Sequence, residues 1–234
     1  SSNTDGSITS SVSANTTAGF SIVSYTGNAT NGATVGHGLG VAPKVIIFKN
    51  RSSAEHWRFH TTAIDGSYDL LYLNLTNAKS DSSITAPTSS VFTLDAFTED
   101  NGSSNNIIAY CFAEKKGYSK FGSYIGNGSS DGSFIFTGFK PAWVLLKATS
   151  IGTEHWWIYD NKRSESNVTN DGIVASLSNA EFSNNATFKI DLLSNGFKLR
   201  NSDGSHNGSG TSYIYMAFAE NPFVTSSGVP ACAR

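Results

Sequence analysis

Tyr110-Cys111-Phe112-Ala113-Glu114 occurs a second time, in altered form, as Met216-Ala217-Phe218-Ala219-Glu220. Each copy is a short apolar strand-like run that ends on an acid. Working outward from the two copies, other stretches match in the same order. Ser24-Tyr25-Thr26-Gly27-Asn28 matches Ser123-Tyr124-Ile125-Gly126-Asn127, and Pro43-Lys44-Val45-Ile46-Ile47-Phe48-Lys49 matches Pro141-Ala142-Trp143-Val144-Leu145-Leu146-Lys147. His56-Trp57 matches His155-Trp156, Leu75-Thr76-Asn77-Ala78 matches Leu177-Ser178-Asn179-Ala180, and Phe92-Thr93-Leu94 matches Phe197-Lys198-Leu199. The spacing between partners widens gradually, as small insertions would make it, and the order never breaks. A period of roughly a hundred residues is too long for a solenoid or propeller repeat. Each copy therefore reads as a whole small domain.

Within each copy the apolar residues alternate or form short runs. Gly19 to Tyr25, Trp57 to His60, Leu70 to Leu75, Val91 to Phe97 and Ile107 to Ala113 read as strands in the first copy. Val45 to Phe48 is continuously apolar, as a central strand covered on both faces would be. Tyr118 to Ile125, Phe134 to Phe136, Trp143 to Leu146, Trp156 to Tyr159, Phe188 to Leu193, Phe197 to Leu199 and Tyr213 to Ala219 repeat the pattern. Glu99-Asp100-Asn101-Gly102 is expected to be a hairpin-type connection. Helical periodicity is confined to a turn or two near Asn74–Lys79 and Ser176–Phe182. The expected fold is all-β: two tandem, homologous antiparallel β-sandwich modules, jelly-roll or lectin-like, over residues 19–116 and 117–223. Residues 1–18 read as a polar arm or linker that pairs weakly if at all, and 224–234 as a tail.

Composition narrows the function classes. Only 15% of the 234 residues are charged, against ~25% in an average soluble domain. Ser, Thr, Asn and Gly take their place, which suits strands and turns and serves helix interiors poorly. The net charge is −2 with no basic patch, which argues against a nucleic-acid partner. No apolar run approaches the ~20 residues of a membrane span, and the polar first residues do not read as a signal peptide. Cys111 aligns with Ala217 and reads as a small buried hydrophobe, while Cys232 lies in the tail, so no disulfide framework or cysteine metal signature is expected.

The candidate ligand-binding residues are His56, Trp57, His155 and Trp156, the His-Trp pair that recurs in both copies. One reading gives the indole to a sugar face and the imidazole to its hydroxyls. The other makes Trp57 and Trp156 core anchors, and recurrence favours it. His56 and His60 are too far apart on a strand, ~13 Å, to share a metal without a bulge. Asp131-Gly132, Asp203-Gly204 and Asn207-Gly208 lack the spacing of a calcium loop and read as turns. Glu114 and Glu220 end matching strands and are expected to cap loop N–H groups. No nucleophile elbow, close carboxylate pair or phosphate loop is present, so no enzyme activity, cofactor or metal is expected.

Gly36-His37-Gly38-Leu39-Gly40-Val41-Ala42-Pro43-Lys44, Gly117-Tyr118-Ser119-Lys120-Phe121-Gly122-Ser123-Tyr124 and Tyr213-Ile214-Tyr215-Met216-Ala217-Phe218-Ala219-Glu220-Asn221-Pro222-Phe223 together resemble a family of bacteriophage tail-fibre and virion-associated proteins. Gly138-Phe139-Lys140-Pro141-Ala142-Trp143-Val144 and Asn195-Gly196-Phe197-Lys198-Leu199-Arg200 add to the resemblance, which spans about residues 19–223. It implies an extracellular virion β-module that attaches to host-surface glycans. It implies as partners further copies of itself, a trimer among the possible assemblies, and other tail proteins. The alternative is a structural subunit of a virion or filament with no ligand of its own.

Overall fold

The computed structural model describes residues 1–221. Cys232 and the expected tail lie outside them. The chain divides into two compact units: Ser1–Leu73 with Ser80–Glu114, and Asn74–Lys79 with the chain from Lys115 onward.

Unit 1 holds β1 (Ser2–Asn3), β2 (Ser10–Asn15), β3 (Phe20–Thr26), β4 (Thr34–Gly36), β5 (Val45–Asn50), β6 (Arg58–Thr61), β7 (Asp69–Tyr72), β8 (Ser80–Asp81), β9 (Val91–Thr93) and β10 (Asn106–Phe112). One helical turn, α1 (Thr98–Asn101), precedes β10. The large antiparallel sheet runs β1-β2-β3-β10-β5-β6-β7-β8, and β4 pairs with β9 in a second sheet. Alternation decides which face is inside. Ile107, Ala109 and Cys111 of β10 are fully buried, with Val23, Tyr25, Ile46 and Phe48 from its neighbours, while Ile108 and Tyr110 between them are half-exposed. Val35 and Phe92 of the small sheet, with Leu94 just after it, complete this core. Each large side chain so buried contributes about 1.5–3 kcal/mol relative to exposure. Cys111 takes its expected place as a small core residue, and burial pushes its thiol up to about 12.

The first eighteen residues do more than expected. β2 pairs with β3 over six residues, from Ser10 opposite Tyr25 to Asn15 opposite Phe20. Ser10 and Val12 are buried, and the Ser10 hydroxyl donates to the Gly36 carbonyl. The expected hairpin at Glu99–Gly102 is instead α1. β9 and β10 belong to different sheets, so the chain must cross over between them rather than fold back on itself. Neither Asn74–Lys79 nor Ser176–Phe182 is helical.

Unit 2 holds β11 (Ser119–Ile125), β12 (Phe134–Phe136), β13 (Pro141–Ala148), β14 (Trp157–Asp160), β15 (Ile173–Val174), β16 (Ile190–Leu193), β17 (Gly196–Leu199) and β18 (Ser212–Ala219). One sheet runs β11-β18-β13-β14-β15 and the other β12-β17-β16. Its core places Val144, Leu146, Tyr159, Tyr215 and Ala217 against Ile135, Ile190, Leu192, Phe197 and Leu199. Asn74–Lys79 belongs to this unit: the Lys147 ammonium donates to the Thr76 carbonyl at 3.0 Å, and the Lys79 N–H to Thr149 at 2.8 Å.

The neighbour order β3-β10-β5-β6-β7 of unit 1 recurs as β11-β18-β13-β14-β15, and β4-β9 recurs as β12-β17. The agreement extends to single atoms. Asn101 is buried in unit 1; its side-chain oxygen accepts from Asn28 N–H at 2.9 Å, and its amide donates to the carbonyls of Thr30 and Asp95. Asn207 is buried in unit 2; its oxygen accepts from Asn127 N–H at 3.0 Å, and its amide donates to the carbonyls of Ser129 and Asn201. The Tyr25 hydroxyl donates to Asp100 O, and that of Tyr124 to His206 O. Gly27 and Gly126 sit where a Cβ would meet the carbonyl oxygen of Gly102 or Gly208 at 2.3 Å, so only glycine fits either place.

Candidate functional site

The matched frame lets the two units be compared at equivalent side chains, and there they part. β6 brings Arg58 into unit 1, and the crossover after β9 brings Asp95 and Asp100. Arg58 Nη1 donates to Asp95 Oδ2 at 2.7 Å and lies 3.1 Å from Asp100 Oδ2, without hydrogen-bonding geometry in the second case. All three side chains are buried. One guanidinium serves two carboxyls, so one carboxyl is left under-compensated. Burial pushes Asp100 up to about 8, against the pull of Arg58. His60, on the same strand, is held neutral: burial, aided by the Arg58 charge, lowers it to about 3.

Above this cluster the chain opens into a cleft of about 330 Å³ lined by Asn31, Ser83, Asp95, Ala96 and Phe97. The Phe97 N–H donates to Asp95 Oδ1 at 2.8 Å, which fixes the loop. Arg58 lies over the Phe97 ring, 5.0 Å from its centroid. Phe97 is nonetheless 55% exposed, so a ring face remains open to solvent. A solvent-facing Phe held in place by a buried cation is a preformed apolar platform with polar groups around it. Val91 to Phe97 reads in sequence as one strand, which hid this: β9 ends at Thr93, and Phe97 belongs to the crossover.

In unit 2 the same place is filled differently. The Asp203 N–H donates to Asn201 Oδ1 at 3.0 Å, as Phe97 does to Asp95, so Asp203 stands where unit 1 has its Phe. Trp157 stands where unit 1 has Arg58 and is buried against Phe182, Phe188 and His206. A buried polar chain replaces the ion cluster. The Ser205 hydroxyl donates to Asp203 Oδ1 at 2.6 Å and so accepts from His206 Nδ1–H at 2.6 Å, leaving His206 Nε2 to accept from the Tyr159 hydroxyl at 2.6 Å. Burial holds His206 neutral, at about 3. Ser, His and Asp thus do meet, a grouping that no motif in the sequence marks. Ser205, His206 and Tyr159 are fully buried, so the chain works as an internal strut with no nucleophile at the surface.

The four sequence candidates divide. Trp156 is 1% exposed and has no face to offer a ligand, while its neighbour Trp157 is the one in the unit 2 core. His155 is half-buried, its Nδ1 paired with Ser176 Oγ at 2.9 Å. Trp57 is half-buried with the Lys49 ammonium 5.6 Å from its ring centroid. His56 is exposed, its ring edge-on to Tyr72. His60 is buried on β6 whereas His56 precedes the strand in solvent, so the two do not share a site. Among the described residues no group of three or more His, Cys, Asp or Glu is placed to hold a metal. Glu114 and Glu220, expected to cap loop N–H groups, form ion pairs, with Lys44 at 3.0 Å and Lys162 at 2.6 Å. His37 of the glycine-dense stretch is buried too: its Nδ1 accepts from Leu39 N–H, so Nε2 carries the proton donated to Thr88 O.

Residues 1–222 match the family described as a domain of unknown function, DUF7483, and the chain belongs to that family. No curated protein and no solved structure matches it.

Proposed function

We propose that this member of the DUF7483 family is a non-enzymatic attachment module of a phage tail fibre or virion surface, working outside the cell on host-surface glycans. The observation that carries this is the Phe97 cleft: an exposed aromatic ring beside Asn31, Ser83 and Asp95 on a chain with few charges. Sugar rings present apolar C–H faces and hydroxyl edges, and such a surface answers both. The resemblance to tail-fibre proteins supports the virion setting. The shared strand order supports descent of the two units from one duplicated module. Glycan-array and host-envelope binding by the purified chain tests the reading. Saturable binding to surface polysaccharide is expected, with no release of reducing sugar. Absence of binding to every glycan and envelope preparation would overturn it.

A second reading, a structural subunit of a virion or filament, has its own support. β12 is an edge strand of unit 2, and its Phe134 and Phe136 are 45% and 64% exposed, beside Ile125 at the end of β11. Exposed apolar edges of this kind favour self-association. It predicts an oligomer in sedimentation velocity that Phe134→Ser with Phe136→Ser dissociates.

A further inference from the structure

We infer that the Phe97 cleft of unit 1 takes a neutral pyranose, and that the chain carries one such site rather than two. The inference rests on the glycan-attachment reading and narrows it.

Three observations set the ligand class. First, the platform is a single exposed ring with one side over the buried Arg58 and the other open, which suits one flat sugar face. Second, the volume of about 330 Å³ lies at the low end of small-molecule pockets. Third, the lining supplies amide, hydroxyl and carboxylate groups from Asn31, Ser83 and Asp95 and no cation. Arg58 is the positive charge beneath the cleft, and both Asp95 and Asp100 already engage it. A uronic or sialic acid would bring a carboxylate to a floor that ends in Asp95. A neutral sugar brings hydroxyls, which exchange hydrogen bonds with Asn31 and Ser83 at no electrostatic cost.

The number of sites follows from the comparison of units. Asp203 replaces Phe97, Asn201 replaces Asp95 and Trp157 replaces Arg58. Unit 2 therefore lacks both the aromatic platform and the cation that seats it. The duplicated frame kept its buried asparagine and its strand order, while among the described residues the place equivalent to the unit 1 cleft is filled differently in unit 2.

Saturation-transfer NMR and calorimetry with methyl glucoside, methyl galactoside, methyl mannoside and N-acetylglucosamine, set against glucuronic acid and N-acetylneuraminic acid, test this on the full chain. Transfer to at least one neutral pyranoside is expected, at one equivalent per chain. A loss of tenfold or more in affinity is expected for Phe97→Ala and recovery for Phe97→Tyr. Phe97 is mostly exposed, so the alanine variant should keep its melting temperature, which separates lost binding from lost folding. Preference for the acidic sugars, two equivalents per chain, or unchanged affinity in Phe97→Ala would each overturn the assignment while leaving glycan attachment intact. No transfer to any neutral sugar, where host envelopes are still bound, would also overturn it. Failure of envelope binding as well would remove the broader reading.

Discussion

At the scale of single residues the two buried asparagines carry the most weight. Asn101 and Asn207 are themselves fully buried, and each ties one N–H and at least two carbonyls of separate loops. Replacing either with Ala deletes these bonds and strands their partners, at about 3 kcal/mol. Asp at either position should do no better, since its carboxylate cannot donate to the carbonyls that the amide serves. Urea denaturation of Asn101→Ala, Asn207→Ala and the two Asp variants checks both statements. Phe97→Ala, by contrast, should move stability by less than about 0.5 kcal/mol, as an exposed side chain. Little of this was legible beforehand. In a chain so rich in Asn, nothing local marks two of them as buried. The tryptophans were partly legible: recurrence pointed Trp156 inward, but its neighbour Trp157, which anchors the unit 2 core, had no partner in the first copy to draw the eye.

At the scale of elements, the strands that bury large apolar residues are the ones their sequences announce: β3, β5, β10, β13 and β18 fall where alternation or apolar runs place them. β2 did not announce itself, because Ser10 and Val12 alternate with small polar residues and serine carries almost no hydrophobic signal. α1 is a single turn, too short for any periodicity. Its Asp100 makes unit 1 sensitive to pH. The folded unit holds the Asp100 proton up to about pH 8, while the unfolded chain releases it near pH ~4. Folding therefore takes up a proton in that window, and the contribution present below pH ~4 is lost as pH rises toward 8. His60 has the opposite sign, since it stays neutral in the fold down to about 3 but protonates below ~6.5 when unfolded. The two oppose each other between pH ~4 and ~6.5, where His37, which burial also lowers, adds weakening as pH falls. From ~6.5 to 8 Asp100 is left unopposed, and unit 1 should weaken by about 1.4 kcal/mol per pH unit at most. In unit 2 buried His206 weakens the unit as pH falls below ~6.5. Hydrogen exchange at pH 5, 6.5 and 8 resolves the two units. Asp100→Asn should flatten the alkaline limb in unit 1, and His206→Gln the acid limb in unit 2.

At the scale of the whole molecule, the all-β antiparallel class was the part most open to reading, because alternation and turn residues mark strands locally. The boundary between the two units was less open. The sequence places it between residues 116 and 117, whereas the main chain passes from one unit to the other at Glu114–Lys115. Asn74–Lys79 breaks that simple picture by belonging to unit 2, where Thr76 takes the Lys147 ammonium and burial lowers that amine to about 8. A protease or a gene split at residue 114 would thus produce a C-terminal piece that has lost six of its own residues. Acetic anhydride labelling followed by mass spectrometry would reveal the defect, as faster acylation of Lys147 in that piece than in the intact chain. Anyone seeking to harvest the second module for engineering would need to bring the missing hexapeptide along, by circular permutation or by a graft, before judging whether it stands alone.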